Sequence, residues 1–418
     1  MRIAVVGSGI SGISAAHLLQ QQHEVSLFEK NDYVGGHTHT VVIPDGPDQG
    51  TPVDTGFIVL NQRTYPLLLR FLAQLNVECR QTDMSFGYYS PSSGLAYAST
   101  DLNSLFAQRL NLLRPDYWKF VFGITRFIRR TRRAHHAGAI GDVTLGEFLQ
   151  QEGCDRDVVR RFVIPMAAAI WSAPDDMMLR FPMRNFARFY DNHGLLAVSG
   201  HPPWFFIKGG SHAYVKAFLQ SFQGRVATGK GVKRIQRNET GVIIRFTDGE
   251  EAAFDRVVIA AHADEAYGML ADPDPVETRL LSPWRYSRNH TLLHTDDSLM
   301  PPQRRAWASW NYLRGDGDPD SAPITVTYHM NRLQRLTCRR QYFVTLNPRQ
   351  AIPSSRIVRE MTYTHPVYTF ESYATQTELP GLNGRRNTYF CGSYFGYGFH
   401  EDGIRSGVAV ARQFGIDL

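Results

Sequence analysis

The sequence predicts an α/β protein of two interleaved domains, one of which starts from a βαβ unit at the beginning of the chain. Residues 3–6 form a short apolar run, typical of a buried parallel strand. Gly7, Gly9 and Gly12 follow at the G-x-G-x-x-G spacing, and an acidic residue, Glu29, comes about 20 positions later. A strand, a glycine-rich turn, a helix and a distant carboxylate in this order indicate a Rossmann-like dinucleotide-binding domain.

Each residue of the glycine-rich turn has a separate physical role. Gly7 permits the tight turn, and Gly9 lets the backbone approach a pyrophosphate. Gly12 lets the following helix pack closely on the strand. That helix is predicted from Ile10, and its first amides and its dipole favour negative charge, so we expect Ile10 and Ser11 to face the phosphates.

Glu29 ends the second predicted strand, where its carboxylate can accept hydrogen bonds from both ribose hydroxyls. A 2′-phosphate would be repelled by this charge, so the sequence disfavours NADP. The pair Gly35 and Gly36 after the ribose carboxylate resembles the extended signature of the amine-oxidase/phytoene-desaturase superfamily of FAD proteins. That signature usually runs Gly-Gly-Arg, whereas this chain continues with His37 and Thr38, so the arginine is missing.

Three further parts of the chain resemble the same superfamily. Residues 53–57 resemble the stretch that passes the flavin, and residues 208–232 resemble the segment whose last strand touches adenine through its backbone. Residues 389–393 and 403–407 resemble the second flavin-binding motif, with Ser393 in place of the usual carboxylate. The resemblance implies non-covalent FAD bound by Gly7, Gly9, Ile10, Ser11, Gly12, Glu29, Lys30, Gly35, Gly36, His37, Thr38, Gly56, Phe57, Val232, Gly392, Ser393, Glu401, Gly403 and Ile404.

The rest of the pattern predicts how the two domains share the chain. We expect a Rossmann-like FAD-binding domain and an interleaved α+β substrate domain, with the substrate cavity between them. The predicted FAD-binding domain comprises residues 1–75, 204–270 and 380–418, and the predicted substrate domain comprises residues 76–203 and 271–379. Within these, the pattern predicts a helix over 64–75, strands at 86–89 and 95–98, a hairpin over 231–246, a buried parallel strand at 257–261 and a final helix over 402–414.

Composition restricts the location of the protein. The chain has 418 residues, 43% of them hydrophobic, and no apolar run approaches the ~18 uncharged residues of a membrane-spanning helix. The chain enters a strand at once, so no signal peptide is expected. Four scattered cysteines form no C-x-x-C, which fits reduced thiols and no metal site. These features predict a cytoplasmic protein.

A basic aromatic helix is predicted near residues 114–133. Trp118 and Phe122 belong to its apolar side, and Arg126, Arg129 and Arg130 to its basic side. This pattern is typical of a helix in contact with an anionic membrane surface, which would place the protein peripherally at the inner face of the membrane. A helix packed in the core with a solvated basic end is the equal alternative. Nucleic-acid binding is disfavoured, because no recognised nucleic-acid fold accompanies the patch.

The segment before the final helix supplies candidate catalytic residues. His400 and Glu401 follow the second flavin motif, and either side chain could take a proton during catalysis. A helix cap with core packing is the alternative for this pair. We expect Tyr394 and Tyr397 to line the substrate cavity, together with Tyr368.

The resemblance narrows the expected chemistry. Many amine oxidases of the superfamily keep a lysine beside the flavin in the substrate-domain sheet, whereas this chain has no lysine after Lys233. Residues 192–194, 209–211 and 396–403 resemble a bacterial branch of amine-oxidase-like flavoproteins, many of them encoded beside cyclopropane-fatty-acyl-phospholipid-synthase-like methyltransferases. Branch members are associated with desaturating methylated acyl chains on the way to furan fatty acids.

The resulting expectation is an FAD-dependent desaturase of a methylated or unsaturated acyl chain in phospholipid. Its substrate partner would be a lipid, and its electron acceptor is unknown. A flavin amine oxidase, a redox-neutral FAD-dependent double-bond isomerase and a non-catalytic flavoprotein remain as alternatives.

Overall fold

The computed structural model describes residues 1–197, 200–315 and 321–418. In chain order the strands are β1 (Arg2–Val6), β2 (Glu24–Phe28), β3 (Thr40–Val42), β4 (Pro52–Asp54), β5 (Val59–Asn61), β6 (Cys79–Thr82), β7 (Phe86–Ser90), β8 (Leu95–Ala98), β9 (Trp204–Ile207), β10 (Arg225–Ala227), β11 (Val232–Arg237), β12 (Val242–Phe246), β13 (Glu251–Phe254), β14 (Arg256–Ile259), β15 (Arg285–His294), β16 (Trp310–Leu313), β17 (Thr325–His329), β18 (Phe343–Leu346), β19 (Ile357–Val367) and β20 (Thr388–Phe390). The α-helices are α1 (Ile10–Leu19), α2 (Pro66–Gln74), α3 (Leu102–Leu105), α4 (Pro115–His136), α5 (Leu145–Gln151), α6 (Arg156–Val158), α7 (Ile164–Trp171), α8 (Asp175–Leu179), α9 (Met183–Asn192), α10 (His212–Ser221), α11 (Ala263–Met269), α12 (Pro275–Leu281), α13 (Met330–Leu333), α14 (Phe370–Thr375) and α15 (His400–Arg412).

A five-stranded parallel sheet holds the two ends of the chain together. Its strand order is β10-β2-β1-β14-β20, and every neighbouring pair is parallel. The central strand β1 is buried because Ile3, Ala4 and Val5 have no exposed surface. The sheet confirms the buried strands predicted at 3–6 and 257–261. The predicted hairpin is also present, as the antiparallel pair β11 and β12.

The final helix begins two residues earlier than predicted. The carboxylate of Asp402 accepts the backbone N–H groups of Phe399 (3.1 Å) and Tyr397 (2.9 Å), which caps α15 at its start. His400 and Glu401 therefore lie in the first turn of α15. The expectation that they occupy the preceding loop was wrong, because the capping carboxylate is the third helical residue.

A mixed seven-stranded sheet lines the same cavity as the parallel sheet. Its order is β19-β15-β18-β17-β16-β7-β8, and β7 runs parallel to β16 while the other pairs are antiparallel. Helices α3 to α9 contribute much of the core beside this sheet. A small sheet, β5-β9-β6, crosses the predicted domain boundary after residue 75, and the boundaries themselves stay predictions.

Among the described residues, no helix combines the length and the apolar character needed to cross a bilayer.

Candidate active site

One large cavity connects the glycine-rich turn with the helices of the substrate side. Its volume is about 1680 Å³. Ligand sites typically occupy about 300–1,000 Å³. The cavity is therefore large enough for a cofactor and a second ligand.

The nucleotide end of this cavity is formed by the turn before α1. A Cβ on Gly9 would meet no atom within 4 Å, whereas a Cβ on Gly12 would lie 1.9 Å from the carbonyl oxygen of Gly7. Gly9 is the N-cap of α1 and no side chain caps the helix, so its first amides remain available at the cavity wall. Open space in front of free helix amides fits a pyrophosphate.

Glu29 is held in a fixed orientation at the same end. One oxygen accepts the backbone N–H of Ser8 (3.0 Å) and the other accepts the backbone N–H of Asn31 (2.9 Å). The next residue, Lys30, forms an ion pair with Glu265. A carboxylate fixed beside the phosphate position is the arrangement expected for a ribose ligand.

The predicted cofactor residues fall into two groups, those that line the cavity and those that lie behind its lining. Those that line the cavity are Gly7, Gly9, Ile10, Ser11, Glu29, Lys30, Gly35, Gly36, His37, Gly56, Phe57, Val232, Gly392, Ser393 and Gly403. Gly12, Thr38, Ile404 and Glu401 lie behind this lining. Thr38 and Ile404 are fully buried, so both support the wall from behind.

His400 lines the cavity as an immobilised ring. Its Nε2 lies 2.9 Å from the hydroxyl of Thr38, which in turn lies 2.5 Å from the hydroxyl of Tyr214. The imidazole stacks on Phe57 with ring centroids 3.6 Å apart. Burial lowers the pKa of His400 to about 3, so its ring is uncharged at neutral pH.

Glu401 has a different environment from its neighbour. Its two carboxylate oxygens accept the backbone N–H groups of Leu67 and Leu68, each at 3.0 Å, in the first turn of α2. Burial raises the pKa of Glu401, and these two hydrogen bonds oppose that effect. Glu401 thus caps α2 and does not line the cavity, which corrects the expectation that its carboxylate faces a ligand.

A group of neutral histidines surrounds the position of the missing arginine. The ring of His37 lies 5.5 Å from that of His365 and 6.0 Å from that of His262. Its Nε2 donates to the carbonyl oxygen of Thr364 (3.1 Å). Burial lowers the pKa of all three, to about 4 for His262 and about 3 for His365. The sequence analysis named His37 but missed the cluster, because His262 and His365 lie far from it in the chain and no local motif connects them.

Of the three tyrosines predicted to line the substrate cavity, two do so and one does not. Tyr394 and Tyr397 line the cavity. Tyr368 does not, because its hydroxyl donates to the carbonyl oxygen of Gly396 (3.0 Å) and its ring packs on Trp284. The expectation that Tyr368 lines the cavity was therefore wrong.

The other end of the cavity is an apolar chamber that sequence reasoning did not identify. Helices α4, α7 and α9 and the π-helical turn Val159–Val163 supply its walls. The lining side chains there are Val121, Ile124, Ile128, Phe162, Met166, Ile170, Trp171 and Phe189. Such a chamber suits a ligand without charge.

A nucleotide site formed by the first βαβ unit and the last helix, next to an apolar chamber, defines a two-domain flavoprotein oxidoreductase. Residues 10–293 match the model of the family described as flavin containing amine oxidoreductase, so the chain belongs to this family. The cofactor is accordingly FAD, and the protein is an FAD-dependent oxidoreductase.

Individual relatives span most of the chain. A protein of Mycobacterium tuberculosis whose name describes it as a flavin-containing monoamine oxidase is 25% identical over 341 residues, which cover 79% of this chain and 70% of the relative. Cyclohexylamine oxidase from Brevibacterium oxydans matches with a TM-score of 0.70 and 16% identity, over 99% of both chains. A CLA-producing fatty acid isomerase from P. acnes matches with a TM-score of 0.66 and 16% identity, over 99% of this chain and 98% of that one. The structural matches support the two-domain fold.

Two glycine variants should separate folding from cofactor binding. Gly9→Ala should fold with nearly the parent stability, because its methyl group enters open space, and should bind FAD about tenfold more weakly or worse. Gly12→Ala should instead be destabilised by about 1–3 kcal/mol or more, because its methyl group meets backbone. Urea unfolding and FAD titration measure the two effects. Undiminished FAD affinity in Gly9→Ala would contradict the phosphate position.

Acid should destabilise the protein through the buried imidazoles. In the unfolded chain the pKa of His365 is about 6.5, whereas in the folded protein burial lowers it to about 3. Protonation therefore favours the unfolded chain, and stability is lost as the pH falls. Between about pH 7.5 and 5.5 the loss should be about 1 kcal/mol for this histidine. Urea unfolding at both pH values checks this. His365→Asn should reduce the acid loss by that amount, and an unchanged loss in this variant would contradict the prediction.

Proposed function

We propose that the protein desaturates a lipid acyl chain, introducing a double bond into a methylated or unsaturated chain carried by phospholipid. The observation that carries this proposal is the apolar chamber next to the nucleotide site. Its walls present aliphatic and aromatic side chains from α4, α7 and α9. A long hydrocarbon is the ligand that gains most from such a surface.

The charges of the lining argue against a cationic substrate. Among the described residues, each carboxylate on the cavity wall already has a partner. Glu265 pairs with Lys30, Asp83 pairs with Arg332, and Asp101 caps α3 through the N–H of Ser104. Glu29 is held by two backbone amides. An ammonium group would therefore exchange its water shell for a wall without a free carboxylate, which is unfavourable.

The positions of the lysines also argue against an amine substrate, because many amine oxidases of the superfamily keep a lysine beside the flavin. Among the described lining residues, the lysines are Lys30 and Lys230, both at the nucleotide end. Lys30 pairs with Glu265 and Lys230 pairs with Asp248, so neither is available to the chamber. The strands of the mixed seven-stranded sheet contain no lysine, and the chain has no lysine after Lys233.

Desaturation removes two hydrogens from adjacent carbons. Bound FAD supplies the acceptor for the hydride, while the electron pair of the second C–H bond becomes the new π bond. We assign the remaining proton to His400, because its ring lines the cavity and is uncharged, so that one of its two ring nitrogens carries no proton. Phe57 and Thr38 hold that ring in place, and the apolar wall keeps water from the reacting carbons.

A redox-neutral double-bond isomerase is the second candidate. The likeness to a fatty acid isomerase favours it, because that protein shares the whole architecture with this chain. An isomerase and a desaturase make the same demand on the apolar chamber and differ in whether electrons leave the substrate. The amine-oxidase alternative is favoured by the monoamine oxidase relative and opposed by the charges of the lining.

Anaerobic mixing with lipids and amines tests the substrate class. Phospholipids with unsaturated or methyl-branched acyl chains should bleach the flavin absorbance, because the substrate's electrons remain on the cofactor without an acceptor. Putrescine and primary monoamines should not bleach it. Lipid conversion without lasting bleaching would favour the isomerase, and bleaching by amines alone would restore the amine oxidase.

Two neighbouring variants test the proton acceptor. His400→Asn should keep its FAD and slow flavin reduction by about 10²–10⁴-fold, the usual effect of losing a general base. Glu401→Gln should keep the parent rate and lose about 1–3 kcal/mol of stability, because it weakens two charge-assisted hydrogen bonds to α2. Single-turnover absorbance and urea unfolding measure these effects. A parent-like rate in His400→Asn would exclude the assigned role.

A further inference from the structure

Exposed apolar side chains are concentrated in one short stretch of the chain. Of the ten large hydrophobic residues that are exposed in the described ranges, five lie between residues 102 and 122. Leu102, Leu110, Leu113 and Phe122 are 75%, 78%, 82% and 62% exposed. A concentration of exposed apolar side chains of this kind usually marks an interaction site.

Contacts of Trp118 join the apolar side chains at the start of α4 to the preceding segment. The indole N–H of Trp118 donates to the carbonyl oxygen of Leu112 (3.0 Å), which ties the start of α4 to the preceding 3₁₀ turn. The same indole lies 5.0 Å from the ring of Phe106 and 5.8 Å from that of Phe122. We call the surface formed by Leu102, Leu110, Leu112, Leu113, Trp118 and Phe122 the leucine platform.

Positive charge borders the leucine platform. Residues 102–133 contain eight arginines and lysines against one acidic residue, Asp116. Lys119 and Arg130 pair with carboxylates of the neighbouring segment. Within the described part of the chain, no carboxylate forms an ion pair with the four remaining arginines at the end of α4. These are Arg126, Arg129, Arg132 and Arg133.

The leucine platform adjoins an opening of the cavity. Leu102 lines the cavity although it is mostly exposed, so the cavity meets the surface there. Val121 and Ile124 line the cavity from the inner side of α4. Thr125 borders both the cavity and a shallow surface depression formed by Phe122 and the arginines of α4.

We propose that the leucine platform docks on an anionic phospholipid bilayer, with Leu110, Leu113 and Phe122 among the acyl chains and the arginines of α4 at the phosphates. The pattern of apolar side chains beside unpaired cations is that of an interfacial membrane contact. A second copy of this chain is a poor occupant, because it would bring two sets of unpaired arginines together. The docking stands on the surface alone, and its use for substrate entry rests on the proposed function.

The residues proposed to contact the lipid differ from those that the sequence predicted. The sequence predicted that the apolar side of α4 contacts the membrane. Most of that side faces inward, where Phe120, Phe127 and Ile128 are buried. The leucines of residues 102–113 supply most of the exposed surface instead, and Phe122 and Trp118 are what α4 adds.

Vesicle flotation of the holoenzyme tests the docking. The parent protein should bind phosphatidylcholine vesicles that contain phosphatidylglycerol and should bind pure phosphatidylcholine much more weakly. Changing Arg126, Arg129 and Arg133 together to Gln should weaken binding on the order of 100-fold, since each charge contributes about fivefold. Changing Leu110 and Leu113 together to Ser should weaken it by a similar factor while leaving its salt dependence in place.

Matched variants control for charge and exposed hydrophobicity in general. Changing Lys216, Arg225 and Lys233 to Gln removes the same net charge from other surfaces and should leave binding within about twofold of the parent. Leu219→Ser removes an exposed leucine from α10 and should have no effect. Equal loss in the control and platform variants would overturn the proposal, as would no binding by the parent. A dimer that the Leu110 and Leu113 changes dissociate, without vesicle binding, would assign the surface to a second copy.

The docking and the proposed function can fail separately. Vesicle binding needs no turnover, so it is measured without reducing the flavin. Flavin bleaching by the same lipid dispersed in detergent micelles needs no docking. Bleaching in micelles without vesicle binding would overturn the docking alone, and vesicle binding without bleaching by any lipid would overturn the function alone.

Discussion

The close approach of the first and last helices is the constraint on which the site depends. A Cβ on Gly407 would lie 2.4 Å from the carbonyl oxygen of Ser11, and a Cβ on Gly403 would lie 2.7 Å from the side chain of Ile10. No larger residue fits between α1 and α15 at this distance. The contact brings the start of α15 to the phosphate end of the cavity, and His400 with it. Residues from both ends of the chain thus meet at one wall.

Helix α4 illustrates how one element serves two environments. Its inner side lines the apolar chamber, and its outer side carries four arginines that form no ion pair with a carboxylate of the described residues. Because only one helix separates them, a contact that moves α4 would change the chamber wall as well. Phe127 and Ile128 of α4 are buried, and their packing in the core resists such movement.

Sequence patterns predicted the parts of the protein that depend on local backbone chemistry. The first βαβ unit, the hairpin of β11 and β12 and the final helix were predicted because glycine spacing and apolar periodicity are local signals. Glu401 was misassigned because its partners, the amides of Leu67 and Leu68, lie more than 300 residues away and appear only in the fold. Trp118 and Phe122 of the leucine platform were predicted, but its leucines were missed, because leucines in a 3₁₀ turn follow no helical or strand period. Its neighbour α4 was recognised, but which of its sides would be buried depended on helices elsewhere in the chain.

Solvation connects the apolar chamber with the leucine platform. An acyl chain that leaves a bilayer for water loses about 0.8 kcal/mol per methylene, so about 15 methylenes cost on the order of 12 kcal/mol. A barrier of that size slows transfer on the order of 10⁹-fold. If the cavity opened only to water, the acyl chain would cross this barrier in every catalytic cycle. An opening at Leu102 beside the leucine platform would instead let the acyl chain move from one apolar environment to another. A small polar substrate would gain nothing from this arrangement. The position of the exposed leucines is therefore itself an argument for a substrate that resides in the membrane.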